Sequence, residues 1–253
     1  MNTAKVYSTK AEKYAKYRWD YAPQAIEIVF DVAQISDESA VADIGAGTGI
    51  LAKHFGGRVK HIFAVEINLE MRQMATKALA QYPSFRSIDG RAEATTLPDD
   101  SVDLITVAQA IHWFEPESTK LEFCRILKPA GWLAVLQNYG TDEEVHKVLA
   151  EEVFTEENGV DTAHTDKMPT KKPMRFYYDG NDFLHQTFSF TSQRTWEEFM
   201  GSLASTSYVP DEDGFLYANF ERAAKRVFEH FSVDGLLTDH GATELYLGQM
   251  KKS

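Results

Sequence analysis

The chain has 253 residues, of which 43% are hydrophobic and 25% charged, and this suits one globular domain with a sizeable core. Its 26 lysines and arginines are outnumbered by 38 aspartates and glutamates, which gives a formal net charge of −12. An acidic chain without a basic block lacks the electrostatic footprint that polyanions require. We therefore expect neither nucleic acid nor an anionic membrane as a primary partner.

Cysteine, histidine and hydropathy patterns narrow the possible classes further. The one cysteine, Cys124, cannot form an internal disulfide, and the eight histidines are scattered without metal-ligand spacing. The N-terminal residues lack the apolar stretch of a signal peptide, and no apolar run reaches the length of a membrane span. We expect a cytoplasmic protein that binds no metal. The sequence leaves its oligomeric state open.

The predicted elements begin with helices and then alternate. A helix is expected at residues 10–17, and another begins at Pro23, a residue that suits a first helical turn. Apolar strands then alternate with helical stretches, which predicts crossover connections and a parallel sheet covered on both faces. The predicted strands are 41–44, 61–65, 84–89, 102–108 and 132–137, and the helices between them are 50–55, 69–80 and 116–127.

After residue 139 the alternation weakens. Helices are expected at 141–157, 195–203 and 213–231, an irregular lid at 158–182, and strands at 184–191 and 243–248. The last two strands can pair antiparallel at one edge of the sheet. The predicted fold is α/β, with a doubly wound, seven-stranded, mostly parallel sheet, an antiparallel C-terminal strand pair and a helical cap. We predict one domain over residues 1–253, and its parts are a core at 37–138 and 183–250 and cap elements at 1–36 and 139–182.

A glycine-rich turn follows the first predicted strand, in the sequence Asp43-Ile44-Gly45-Ala46-Gly47-Thr48-Gly49. Glycines let the backbone turn tightly and lie against a nucleotide-like ligand at the carboxyl ends of the strands. Glu66 ends the second strand, where a carboxylate can accept hydrogen bonds from both ribose hydroxyls. The dinucleotide fingerprint needs its third glycine where this chain has Ile50, and this disfavours a nicotinamide or flavin site. A tight turn without a ligand is the other alternative.

These residues resemble a known family. The glycine segment looks like the first motif of class I S-adenosylmethionine-dependent methyltransferases, and Glu66 matches that family's ribose-binding acid. The similarity extends through residues 90–103, 108–114 and 125–132, and covers roughly residues 40 to 137. It is greatest with the type 11 small-molecule branch, which includes relatives of trans-aconitate methyltransferase. The resemblance implies a Rossmann-like methyltransferase fold, S-adenosylmethionine as cofactor and S-adenosylhomocysteine as product.

The resemblance also implies which residues hold the cofactor. The backbone at Gly45, Ala46 and Gly47 would lie under the methionine and ribose portions. Glu66 would accept from the ribose hydroxyls, and Ile67 would pack on the adenine face.

Three further positions are implied at the adenine and methionine ends. Ala92 would meet the adenine edge through its backbone N–H, and Ala108 would face the methionine. Relatives often have Asp where this chain has Arg91, which cannot accept a hydrogen bond from the adenine amino group. Glu93 or a backbone carbonyl is expected to accept it instead.

The N-terminal segment 14–23 resembles a family segment that closes over the cofactor. Tyr14 lies in it, and Arg18 is shaped to pair bidentately with the methionine carboxylate. The alternative is that Arg18 forms a surface ion pair and the tyrosines cover the sheet.

The methyl acceptor is expected beyond the fourth strand, beside Gln109, His112 and Trp113. His112 is a candidate general base or, equally, a hydrogen-bonded structural histidine, and Trp113 is a pocket wall or a packing residue. Tyr139 and Ser207 are candidate acceptor contacts, although serine also shapes turns.

The expected activity is methyl transfer to O, N or C of a small-molecule metabolite. A nicotinamide-dependent oxidoreductase and a non-catalytic S-adenosylmethionine-binding module are the alternatives. Nucleic-acid methylation is disfavoured by the acidic charge and by the sequence Ala108-Gln109-Ala110-Ile111, which lacks the Asn/Asp-Pro-Pro-aromatic run.

Overall fold

The computed structural model describes residues 10–162, 171–180 and 182–251. The α-helices are α1 (Ala11–Tyr17), α2 (Pro23–Val32), α3 (Leu69–Ala78), α4 (Pro116–Ile126), α5 (Glu143–Val148), α6 (Trp196–Ala204) and α7 (Tyr217–Phe231). The strands are β1 (Ala40–Ile44), β2 (His61–Glu66), β3 (Phe85–Asp89), β4 (Val102–Ala108), β5 (Leu127–Gly140), β6 (Leu184–Arg194), β7 (Ser232–Val233) and β8 (Leu236–Gln249).

The strands form one sheet in the order β3-β2-β1-β4-β5-β8-β6, and β7 pairs with β8. The pairs β1–β2, β1–β4, β2–β3 and β4–β5 are parallel. The chain builds outward from β1 to β3 and then returns to the other side of β1 with β4. This reversal places a topological switch point between β1 and β4, where open α/β sheets bind ligands at the carboxyl ends of their strands.

The predicted mostly parallel sheet with an antiparallel C-terminal pair is confirmed. The eighth strand, β7, is a two-residue antiparallel partner of β8 that the sequence analysis did not predict.

The sheet is covered on both faces, as its apolar strands require. All five residues of β1 are buried, and alternate residues enter different clusters. Val41 packs in the cluster that includes Ile26 of α2, whereas Ile44 packs in the cluster that includes Phe123 and Ile126 of α4.

The chain divides into two compact units. The sheet unit comprises the described residues of 20–138, 169–188 and 243–253, and the second unit those of 1–19, 139–168 and 189–242. The proposed single domain with its core and cap boundaries stays a prediction.

The second unit has a helical core of its own. Phe220 and Phe228 of α7 are buried together with Phe199 of α6, whose N-terminus carries a capping box made by Thr195 and Glu198.

Lys10 is a buried cation of the second unit and is only 5% exposed. Its Nζ donates hydrogen bonds to the carbonyl oxygens of Thr206 and Val209, at 2.9 and 2.6 Å. Burial lowers the pKa of Lys10, and the negative charge of Asp211 opposes that effect.

Several predicted elements differ from those observed. The helix predicted at 50–55 is a short 3₁₀ turn, Ala52–Phe55, because six residues between Gly49 and Gly56 give too few hydrogen bonds for a stable α-helix. The last strand begins at Leu236 rather than at Thr243, since its polar first half hides the apolar alternation.

The helix predicted at 141–157 is also broken. It divides into α5, a π-helical segment at Leu149–Val153 and a 3₁₀ turn at Glu156–Asn158. Acidic residues follow α5, where the negative end of the helix dipole disfavours them. The lid predicted at 158–182 falls partly on residues 163–170 and 181, which lie outside the described residues.

In the part of the chain that the structure describes, no helix is both long and apolar enough to cross a membrane. Within the same residues, no group of three or more histidine, cysteine, aspartate or glutamate side chains is arranged to hold a metal ion.

Candidate functional site

The glycine turn after β1 lies at the switch point. Gly45, Gly47 and Gly49 all have positive φ angles, of 68°, 55° and 84°. A Cβ on Gly45 would lie 2.8 Å from the Cβ of Ala110 and 3.1 Å from the Phe114 ring. Only glycine therefore allows the turn to pack against the loop that follows β4.

The backbone N–H groups of this turn are largely committed within the protein. Those of Gly45 and Ala46 donate to the Val65 carbonyl at 2.8 and 3.1 Å. That of Gly47 donates to Oε2 of Glu66 at 2.9 Å. A dinucleotide pyrophosphate needs such N–H groups free to bind its oxygens. The turn instead suits a ligand that is met by backbone carbonyl oxygens.

Glu66 holds the end of β2 against this turn. It is 9% exposed, and its second oxygen, Oε1, accepts from the Asn68 N–H at 2.8 Å. Burial raises the pKa of Glu66, although backbone N–H donors and the Arg72 charge oppose the shift. Each carboxylate oxygen has a further lone pair, so the predicted bonds to ribose hydroxyls are chemically available.

Arg72 of α3 is a site residue that the sequence analysis missed. Its Nη1 donates to the carbonyls of Glu66 and Ile67, both at 2.8 Å, and to Oδ1 of Asp89 at 2.9 Å. It fixes the backbone on which Ile67 presents a 45% exposed apolar side chain. Such exposure suits the predicted contact with a flat ring.

Asp43 is buried beneath the turn and is 1% exposed. Its Oδ1 accepts from the Thr106 hydroxyl at 2.9 Å, whereas Oδ2 has no hydrogen-bond partner among the described residues. Burial raises the pKa of Asp43 to about 7, and the negative charge of Glu66 adds to this effect. A cation bound near the turn would favour its ionised form.

The predicted adenine loop is a tight turn closed by a bridge between Arg91 and Ala94. Ala92 is buried in it at 3% exposure. Oε1 of Glu93 accepts from the Glu115 N–H at 2.9 Å, and Oε2 lies 3.7 Å from Nε of Arg91. Glu93 thus joins two loops, and its contact with adenine stays a prediction.

The carboxyl end of β4 carries the candidate acceptor residues. Ala108 is half-buried, and Gln109 follows with a left-handed φ of 54°. Nε2 of Gln109 donates to the Asn138 carbonyl at 2.6 Å. Asn138, at the end of the next strand, is a second residue that the sequence analysis missed.

His112 lies in the 3₁₀ turn Ile111–Trp113, and its ring centroid is 5.1 Å from that of Trp113. Burial lowers the pKa of His112 below its usual 6.5, which keeps the imidazole neutral at physiological pH. A neutral ring has one nitrogen able to accept a proton.

Four predicted site residues belong to the second unit. The Arg18 guanidinium lies over the Tyr14 ring, 5.0 Å from its centroid, and the buried Nε of Arg18 has no hydrogen-bond partner among the described residues. Tyr139 and Ser207 are half-buried. Contacts of these four side chains with cofactor or acceptor stay predictions.

Comparisons with known proteins agree with this geometry. A family described as a methyltransferase domain matches residues 42–135. An uncharacterised methyltransferase of Schizosaccharomyces pombe is 34% identical over 135 residues, which cover 53% of this chain and 53% of that protein. An uncharacterised methyltransferase of Mycobacterium tuberculosis is 36% identical over 125 residues, which cover 49% of each. The chain thus spans about half the length of these curated relatives.

The fold is also found among solved structures. The YcgJ protein of Bacillus subtilis has a TM-score of 0.56 at 18% identity, with 92% of this chain and 100% of that one covered. At that identity the likeness concerns the fold. The glycine turn and the acidic end of β2 both lie within the matched residues. Residues 42–135 therefore match a methyltransferase domain, a resemblance that points to S-adenosylmethionine as the cofactor.

Proposed function

We propose that the protein transfers the methyl group of S-adenosylmethionine to O, N or C of a small-molecule acceptor. The observation that carries this proposal is the commitment of the turn's N–H groups to Val65 and Glu66. It disfavours the phosphates of a dinucleotide and leaves carbonyl oxygens for a cofactor with ammonium and sulfonium charges. The bound cofactor supplies an activated methyl group, so the protein mainly orients and desolvates the reactants.

The sheet unit offers most of the proposed cofactor contacts. The backbone at Gly45, Ala46 and Gly47 supports the methionine and ribose, Glu66 accepts from the ribose hydroxyls, and Ile67 covers the adenine. The raised pKa of buried Asp43 supports this placement, because a nearby positive charge would stabilise its carboxylate.

The remaining proposed cofactor contacts are Ala92 and Glu93 at the adenine, Ala108 at the methionine, and Tyr14 with Arg18 at the methionine carboxylate. The unpartnered Nε of Arg18 supports the last of these, since a buried guanidinium nitrogen without a partner is costly.

His112 is the proposed general base. It is half-buried, burial lowers its pKa, and no hydrogen bond to it is made by the described residues, unlike a structural histidine. Gln109, Trp113, Tyr139 and Ser207 are the proposed acceptor contacts. The net charge of −12 supports a small metabolite rather than a polyanion as the acceptor. The proposed location of the protein is the cytoplasm.

Calorimetric titration tests the cofactor. We expect S-adenosylmethionine to bind and NADH not to bind. Glu66→Ala removes charged acceptors worth about 1.5–3 kcal/mol each and should weaken binding about 100-fold. Glu38→Ala removes an exposed glutamate of the same unit that pairs with Lys60, and should change affinity less than twofold. Tighter binding of NADH, or equal effects of the two substitutions, would contradict the proposal.

A further inference from the structure

The loop after β3 begins beside the proposed ribose-binding acid. Asp89, the last residue of β3, is the register partner of Glu66, the last residue of β2. A Cβ added to the next residue, Gly90, would lie 2.9 Å from Cγ1 of Val65, so the loop starts in close contact with β2. Residues 90–95, the adenine loop, therefore follow the carboxyl ends of the strands and lie within the sheet unit.

Two backbone hydrogen bonds close the adenine loop. The Arg91 N–H donates to the Ala94 carbonyl at 3.2 Å, and the Ala94 N–H donates to the Arg91 carbonyl at 3.0 Å. This pair encloses Ala92 and Glu93, the two proposed adenine contacts. A group that fixes the backbone next to Ala94 therefore fixes the backbone of both contacts.

Glu122 of α4 holds the residue that follows Ala94. Its Oε1 accepts from the Thr95 backbone N–H at 2.7 Å and from the Thr95 hydroxyl at 2.6 Å. Thr95 is fully buried, and Glu122 is only 8% exposed. Hydrogen bonds to a buried carboxylate are strong and are costly to leave unmade. The helix thus holds the backbone of the loop directly.

Arg125, one turn later on α4, orients the Glu122 carboxylate. Nε of Arg125 donates to Oε2 at 2.8 Å, and Nη2 donates to Oε1 at 2.7 Å, a bidentate arrangement that fixes the plane of the carboxylate. Burial alone would raise the pKa of Glu122, but the hydrogen bonds from Arg125 and Thr95 outweigh burial and lower it. The carboxylate therefore stays charged at neutral pH.

The backbone just beyond Thr95 is strained and needs such support. Thr96 has a left-handed φ of 65°, which β-branched residues rarely adopt. Strain of this kind persists where the surrounding structure fixes it. The Thr95 hydroxyl also accepts from the Leu97 N–H at 3.3 Å, so the same hydroxyl ties both sides of the strained residue to Glu122.

A fixed backbone can distinguish adenine from hypoxanthine. Adenine carries an acceptor nitrogen, N1, beside an amino donor, whereas hypoxanthine carries an N1–H donor beside a carbonyl oxygen. The Ala92 N–H, which is proposed to meet the adenine edge, can donate to N1 of adenine but faces another donor in hypoxanthine. A site with fixed polar groups rejects a ligand that leaves them unpaired, and a loop that is free to shift loses this selectivity.

We propose that Glu122 is a positioning residue that sets the selectivity of the cofactor site for adenine over hypoxanthine, and that it acts through Thr95. The inference rests on the proposed function. Glu122 acts on the loop backbone, since its oxygens accept from Thr95 and Arg125. Ala92 and Glu93 remain the proposed contacts of the base.

Calorimetric titration with S-adenosylhomocysteine and S-inosylhomocysteine tests the selectivity. These ligands differ only in the base, so the ratio of their Kd values measures base recognition. The wild-type protein should bind the adenosyl ligand about 30-fold more tightly, because hypoxanthine leaves the Ala92 donor unpaired. Glu122→Ala should reduce this ratio about tenfold, because it removes both hydrogen bonds to Thr95. Partial unfolding weakens both ligands equally, so the ratio still reports on the loop.

Matched variants separate this role from a general effect on stability. Glu117→Ala removes an exposed glutamate of the same helix that pairs with Lys172, and should leave the ratio within about twofold of that of the wild type. Thr95→Val loses the hydroxyl and should reduce the ratio about fivefold, whereas Thr95→Ser keeps the hydroxyl and should preserve it. Thr95→Val keeps the backbone bond to Glu122, so this milder variant decides the matter if Glu122→Ala does not fold.

The double variant tests whether the two residues act through one contact. Glu122→Ala combined with Thr95→Val should change the ratio no more than Glu122→Ala alone, because the first substitution already removes the partner of the hydroxyl. Additive effects would overturn the inference. So would a ratio unchanged in Thr95→Val, or a wild-type protein that binds the two ligands equally. If the wild-type protein binds neither ligand, the proposed function itself fails.

Discussion

The amino and carboxyl ends of the strands in the sheet unit differ both in their polar groups and in the volume of the space beside them. At the amino end of β5, beside the last residues of β8, lies a hollow of about 840 Å³ whose lining includes Val32, Trp132 and Phe183. The carboxyl edge instead has a strained Gln109 and buried, perturbed carboxyls. A large, mostly apolar pocket is the default candidate for a binding site, and this one is also lined by Asp182, Gln249 and Lys251. Committed hydrogen bonds and shifted pKa values instead favour the carboxyl ends of the strands as the candidate site.

The largest expected effect comes from comparing two histidine substitutions, one at the carboxyl ends of the strands and one at the amino ends. His112→Ala should lower kcat about 100-fold or more, because it removes the proposed general base, while the Kd of S-adenosylmethionine stays the same. His61→Ala, at the amino end of β2, should leave kcat within twofold. Steady-state methyl transfer measures both.

The pH profile gives a second criterion for His112. Since burial lowers its pKa, the acid limb of kcat should lie below pH 6.5. A limb above that value would argue against His112 as the titrating base.

Asp43 should make the carboxyl edge sensitive to pH. Its pKa is about 7 in the folded protein, against the ordinary 3.8 of an exposed aspartate, so the folded state binds more protons between those limits. This carboxyl therefore costs stability increasingly as pH rises from about 4 to 7. Asp43→Asn should therefore stabilise the folded state more at pH 8 than at pH 5. At pH 8 the gain in free energy of unfolding should be at most about 4 kcal/mol, as measured by thermal unfolding at the two pH values.

Ionisation of Asp43, which lowers the stability of the free protein, should strengthen cofactor binding. A positively charged cofactor favours the ionised carboxyl, so the Kd of S-adenosylmethionine should fall about tenfold between pH 6 and pH 8. Asp43→Asn should flatten this dependence, and S-adenosylhomocysteine, which lacks the sulfonium, should show less of it. A Kd independent of pH in the wild-type protein would refute the coupling.

The smallest expected effect compares two left-handed residues, one at each edge. Ala130, near the start of β5, has a φ of 61°, and Gln109 has 54°. Ala130→Gly should relieve strain of about 1 kcal/mol and raise the Tm by about 2–4 °C without changing methyl transfer. Gln109→Gly relieves the same strain but loses the bond to Asn138, so methyl transfer should fall. Thermal unfolding and turnover, measured on both variants, check this contrast.

The sequence predicted those parts of the site that depend on local signals. The glycine turn, Glu66 at the end of β2 and Gln109 after β4 each follow an apolar strand directly, and parallel strands bring their carboxyl ends to one edge. That is why the fold class and the cofactor could be inferred together.

The remaining parts depend on contacts that no local pattern encodes. Thr243 bonds Asn138 across 105 positions, and Arg72 reaches Asp89 across 17. Neither spacing matches a helix or strand period, so only the folded chain reveals these partners. Likewise, the 3₁₀ turn at Ala52–Phe55 has helical composition but too few residues to propagate an α-helix.

The burial of Lys10 makes it a built-in reporter of local opening in the second unit. Trypsin cuts after a lysine only when the side chain can enter the protease's own pocket, and here that side chain is engaged by the carbonyls of Thr206 and Val209. Cleavage after Lys10 thus requires both hydrogen bonds to break. Where opening and closing are fast relative to cleavage, the rate of cutting at Lys10 reports the population of that open form.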